Sequence, residues 1–184
     1  MKNSIQYLAE RLIDYGLFEE VHDLAEIVVN KDKSYPAVYK GKGEYQRING
    51  KDASLGIAYI RLNGDITDTE SEEQFTSCQQ IVKRNLPLKL VAIVPRAKIE
   101  CDDNYSELLV LSDLKRIIQG LKKSDHQAIR VELDSVSSST NGSDIMKEES
   151  DLLKDVAPSY IYVSIKFNLI IHQDVICLPE LCYY

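Results

Sequence analysis

The sequence predicts an α+β fold, a mostly antiparallel sheet packed on one face by two main helices, with a further short acidic helix. Three observations carry this. Tyr160 to His172 is an uninterrupted period-two run: Ile161, Val163, Ile165, Phe167, Leu169 and Ile171 point one way, and Tyr160, Tyr162, Ser164, Lys166, Asn168 and His172 the other. A helix would scatter these residues around its circumference, whereas a strand buries the first set and leaves the second semi-polar. Two segments, near the start and in the middle of the chain, instead repeat apolar residues at helical spacing. Between them lie short β-branched and aromatic runs bounded by Gly, Asn and Pro.

The elements follow in order. Asn3 and Gln6 form a capping-box-like start to a helix whose apolar positions are Ile5, Leu8, Ala9, Leu12 and Ile13, and Gly16 ends it. Leu17, Val21, Leu24 and Val28 continue at helical spacing, but Ile27-Val28-Val29 is a β-branched run, so the reading is a connector with a helical turn or two and then a strand. Tyr35 to Tyr39 and Tyr45 to Ile48 form a hairpin about Gly41-Lys42-Gly43. Asn49-Gly50-Lys51-Asp52 is a turn, and Ile57 to Leu62 a strand closed by Asn63-Gly64. Asp65 to Glu73 is an acidic loop or sheet edge. Phe75 to Lys83 and Leu86 to Val94 read as two neighbouring antiparallel strands interrupted at Asn85 and Pro87, the second ended by Pro95.

Tyr105 to Leu121 is the second main helix, with Leu111, Leu114, Ile117, Ile118 and Leu121 on one face and Asp113, Lys115, Arg116 and Gln119 facing away. Ile129, Val131 and Leu133 alternate with charged residues in a half-buried strand. Ser135 to Ser143 reads as a mobile Ser-rich loop and Asp144 to Val156 as the short acidic helix, capped by Ser143 and separated by Pro158 from the last strand.

At 184 residues, with 44% hydrophobic and 28% charged, the chain is read as one domain spanning 1–184. Its net charge of −7 argues against a general or sequence-specific nucleic-acid binder, which needs a clustered cationic surface. Charges break every apolar run before a membrane-spanning length, and Met1 to Arg11 holds no signal-peptide core, so no membrane partner and synthesis in the cytoplasm are expected. Cys78, Cys101, Cys177 and Cys182 form no C-x-x-C pair and read as free thiols.

Tests for chemistry give nothing positive. Gly41-Lys42-Gly43 lacks the G-x-x-x-x-G-K-[S/T] frame of a phosphate loop. His22, His126 and His172 are isolated in sequence, and a catalytic His needs a positioned partner. Glu148 and Glu149 are adjacent, so on a helix they diverge. No G-x-S-x-G is present. No catalytic, cofactor or metal site is therefore assigned, and the chain reads as an assembly component, not an enzyme. Eleven Tyr and no Trp suit half-buried sheet faces and subunit contacts. Candidate interface residues are the basic hairpin Lys40, Lys42, Arg47 and Lys51, the acidic Asp144, Glu148 and Glu149, and the aromatic Tyr160 and Tyr162.

The order of elements is an N-terminal helix, hairpin strands and the Tyr59-Ile60-Arg61-Leu62-Asn63-Gly64 strand and turn. The Cys78-to-Val94 strands, the Ser106–Leu121 helix, the Ile129–Leu133 strand, the acidic Lys147-Glu148-Glu149 segment and the Tyr160–Ile171 strand follow. In that order and texture the chain resembles the tail terminator (tail completion) proteins of long-tailed bacteriophages. The resemblance covers most of the chain and rests on no diagnostic motif. It implies a structural virion protein that forms a homohexameric ring, caps the tail tube and joins it to the neck or head-to-tail connector. The expected partners are further copies of itself, the tail tube protein and a neck protein. The expected location is the tail–neck junction, after assembly in the host cytoplasm. Alternatives are another neck, tube or adaptor component, or a small cytoplasmic ligand-binding domain or enzyme.

Overall fold

The computed structural model describes residues 2–30, 33–48, 55–70, 79–100, 107–121, 127–139 and 160–176. It is mixed α+β and mostly antiparallel. The chain opens with helix α1 (Lys2–Asp14), followed by strands β1 (Phe18–His22), β2 (Glu26–Asn30), β3 (Lys33–Gly41), β4 (Glu44–Arg47), β5 (Gly56–Leu62), β6 (Thr67–Glu70) and β7 (Gln79–Pro95). Helices α2 (Arg96–Glu100) and α3 (Glu107–Gln119) and strands β8 (Gln127–Ser139) and β9 (Tyr160–Ile176) complete it. The main sheet runs β1-β5-β7-β9-β8, with β6 also paired to β7, and β2-β3-β4 form a separate three-stranded sheet.

The expected inward set of β9 is buried, but the face expected to be semi-polar is partly buried as well, at Tyr162, Ser164 and Ile170. Ile161, Val163, Ile165, Phe167, Leu169 and Ile171 join Leu86, Leu88, Leu90, Ala92 and Val94 of β7 in the main core. Ile5, Leu8 and Leu12 of α1 and Val110, Leu114 and Ile118 of α3 close over them. Each such fully buried aliphatic or aromatic side chain contributes about 1.5–3 kcal/mol. On α1 the apolar stripe stops short of Ile13, which stays largely exposed. On α3, Val110 is buried while Leu111 and Ile117 sit at the margin.

The opposite face of the main sheet is covered at one end by the small sheet. Ile57, Tyr59, Val91, Ile93 and Tyr162 meet Ala25 and Ile48 in a second apolar cluster, with Val38 and Tyr160 packed against it. The molecule is thus layered: helices, main sheet and, over part of it, the small sheet. The small sheet is inserted between β1 and β5, which run parallel to one another.

Four expectations need correction. The connector after α1 contains a strand, β1, and no helix. Its register slips between Phe18 and Glu20, so Phe18 and Val21, three apart, both face the main core and imitate helical spacing. Residues 79–95 form one strand, not two. Pro87 is tolerated because its carbonyl accepts from the Asn63 N–H at 2.9 Å, which places its missing donor on the same side, between the end of β5 and the start of β6. The Ser-rich stretch is strand as far as Ser139, because a bulge between Leu133 and Ser135 changes the alternation while β8 stays paired to β9. Finally, Asp113 and Lys115 are half-buried. The acidic turn-edge segment is a strand at Thr67–Glu70, in keeping with a sheet edge. The expected helix 144–156 lies outside the described residues, as do the 49–52 turn and Pro158.

Candidate functional site

The small sheet carries an exposed surface whose side chains bond to one another. Its hairpin turns through Gly41 (φ 98°), Lys42 (φ 54°) and Gly43 (φ 80°). Two glycines reach this left-handed region without Cβ strain, and only Lys42 bears the cost of about 1–2 kcal/mol. The turn sets Tyr39 opposite Tyr45 and Ala37 opposite Arg47, while Ala37 also faces Glu26 of β2. Since Val38 packs inward, alternation puts Glu26, Tyr35, Tyr39, Tyr45 and Arg47 on the outward face.

These side chains are held in place by one another. The rings of Tyr39 and Tyr45 lie 5.2 Å apart at 55°. The Tyr39 hydroxyl accepts from the Gly43 N–H at 3.2 Å, and the Tyr45 hydroxyl donates to Glu26 Oε2 at 3.0 Å. This bond to Glu26, with lesser contributions from burial and from the charges nearby, raises the Tyr45 pKa above its ordinary value. The Arg47 guanidinium lies 5.1 Å over the Tyr35 ring. Yet Tyr39 is 50% exposed and Tyr45 43%. Such surfaces bind well because their aromatic anchors are ordered before contact. Lys40, Lys42 and Arg47 are exposed beside them and make no ion pair among the described residues.

Three of the expected interface residues, Lys40, Lys42 and Arg47, therefore gather on one hairpin. Lys51, Asp144, Glu148 and Glu149 lie outside the described residues. Tyr160 is half-buried against the second cluster. Tyr162 is corrected: at 5% exposure its ring is packed between the two sheets, not presented for contact. Burial, with a smaller contribution from Tyr160, pushes its pKa up to about 12.

Other features were missed by the sequence reading. A groove of about 660 Å³ runs between α1 and α3, lined by Tyr7, Arg11, Asp14, Tyr15, Arg116, Ile117 and Gly120. Asp113 anchors it, accepting from the Tyr15 hydroxyl at 2.9 Å and from Arg116 at 2.9 Å. No sequence spacing could reveal it, because its walls come from helices far apart in the chain. A second feature is a row of cations across the sheet: Arg61, Lys89 and Lys166 are register neighbours on β5, β7 and β9. Lys89 is only 2% exposed, and both Arg61 and Lys89 are engaged by other groups. Among the described residues no group of three or more His, Cys, Asp or Glu is placed to hold a metal, and no helix is long and apolar enough to cross a membrane. Neither a protein-family model nor a curated protein matches this sequence.

Proposed function

We infer that the chain is a structural subunit that assembles through its small sheet into a closed homo-oligomeric ring, in the manner of a phage tail terminator. The observation that carries the assembly reading is the pre-ordered aromatic and cationic face of β2–β4. Three tyrosines and Arg47 are fixed by local bonds while Tyr39 and Tyr45 stay about half exposed. Exposed aromatic rings beside cations are enriched where protein partners dock. The phage setting rests on the sequence resemblance, with which a sheet covered on one face by two helices agrees. In that setting the ring is a hexamer at the tail–neck junction, contacting the tail tube on one side and the neck or connector on the other.

The test is light scattering and electron microscopy of the purified protein at rising concentration, and again with the tail tube protein. The expected result is a closed ring. Monomers under every condition overturn the reading.

A further inference from the structure

A ring needs two different complementary surfaces on each subunit, and two exposed strand edges of opposite charge provide them. The first is β4, Glu44–Arg47. It pairs only with β3 among the described residues, and all four of its residues are exposed. It carries Arg47 and Glu44 and follows Lys40 and Lys42, so cations are in excess. The second is β6, Thr67–Glu70, which pairs only with β7 among the described residues. Thr67, Asp68 and Thr69 are exposed, and Asp65 precedes them, exposed and without an ion pair among the described residues. The strands are equally short, neither contains proline, and each has one edge that pairs with no other strand among the described residues.

The other edges of the two sheets differ. β8 is bent by its bulge and bears exposed Arg130, Glu132 and Asp134, and β1 is bulged at Phe18 and Glu20. Bulges and alternating charges are the devices that stop an edge from pairing. β2 brings no cation, its residues being Glu26, Ile27, Val28, Val29 and Asn30. Opposite charge thus singles out β4 and β6.

We propose that β4 of one subunit adds as a strand to β6 of the next, joining the small sheet of one copy to the main sheet of its neighbour. This rests on the ring reading and names its contact. Backbone bonds along the joined edges supply the affinity, as in other strand additions. Lys40, Lys42 and Arg47 against Asp65 supply the direction, since Asp68 is already held by Arg84 through two bonds of 2.6 and 2.7 Å. The same charges oppose β4 with β4 and β6 with β6, so a two-fold dimer is disfavoured and the contact propagates head to tail. Tyr39 and Tyr45, adjoining the joined edge, extend the contact beyond the four-residue ladder.

The experiment uses two charge-reversed proteins, one with Lys42→Glu and Arg47→Glu, the other with Asp65→Lys and Thr67→Lys. Alone, each places like charges on both edges, and each should raise the dissociation constant by about tenfold or more at low ionic strength. Mixed in equal amounts, they restore opposite charges at every contact of an alternating ring. The expected result is dissociation of each variant by light scattering and recovery of the ring on mixing, which also shows that both variants are folded. If the wild type forms a ring and the variants form it equally well, the β4–β6 contact is wrong while the ring stands. Variants that dissociate and fail to reassemble on mixing overturn the contact too. A wild type that is monomeric throughout overturns the ring and this contact with it.

Discussion

Gly56 is where the chain returns from the small sheet to the main one, and replacing it with alanine tests how tightly that root is built. A Cβ there would lie 2.8 Å from the Ile93 carbonyl oxygen, 2.9 Å from the Leu17 carbonyl oxygen and 3.1 Å from Phe18 Cδ1. The first two are backbone atoms held in sheet pairing, so no side-chain rotation relieves them, and β1 or β7 must retreat by about half an ångström. Retreat of β1 stretches the 2.7 Å bond from the Gly56 N–H to Leu17. Overpacking of this kind costs about 1–3 kcal/mol and a weakened hydrogen bond about 1 kcal/mol. The smaller unfolded-state entropy of alanine returns about 0.4–1 kcal/mol. The expected net loss is about 2–3 kcal/mol, which lowers the melting temperature of a chain this size by roughly 4–12 °C. Urea denaturation followed by far-ultraviolet circular dichroism measures it. Gly64→Ala is the control, because its Cβ would meet only the Pro87 ring, at 3.2 Å, and it should change stability far less. A Gly56→Ala protein within about 0.5 kcal/mol of wild type, the range of ordinary surface changes, would refute the packing argument.

Other outcomes follow from the same geometry. Phe167→Ala removes a ring only 1% exposed in the main core and should cost about 3–5 kcal/mol in the same denaturation assay. Tyr162 has its pKa raised from an ordinary value of 10.0 to about 12, so its neutral form is favoured in the folded state. Its contribution is complete below pH 10 and is lost as pH rises towards 12, where the unfolded chain gives up the proton first. Urea midpoints across that window should fall more steeply for wild type than for Tyr162→Phe. Tyr45→Phe deletes only the bond to Glu26, so the melting temperature should hardly move while the proposed ring weakens measurably by light scattering. A ring of unchanged affinity would mean that this hydroxyl does not order the docking face.

Much of the sheet was legible because a strand facing a core writes period two into its residues, and the core-facing set of β9, from Ile161 to Ile171, does so at every second position. The strands misread are those where geometry interrupts the period. At β1 the bulge turns a spacing of two into three, and at β8 it breaks the register, so that Leu133 pairs with Phe167 but Val136, three residues on, pairs with Ile165. Pro87 reads as a break in isolation and is harmless only in the gap where β5 has ended and β6 has not begun. The hairpin cations were legible as a cluster because a tight turn keeps sequence neighbours together. The burial of Tyr162 was not, since it depends on a second sheet whose placement no local pattern encodes.

The pairing of β7 with β9 also bears on how the chain is made. The register joins Gln79 to Ile176 and Pro95 to Tyr160, so the central strand emerges from the ribosome long before its main partner. Until then a stretch rich in Leu, Val and Ile has one edge unpaired and its apolar faces only partly covered. Contacts between such distant segments form slowly, because the loop between them must close first. Newly made chains therefore pass through an interval in which two copies can pair through β7 instead of each folding alone. Growth at lower temperature, or a chaperone that shields this strand, should raise the soluble yield more than any stabilising change at the surface.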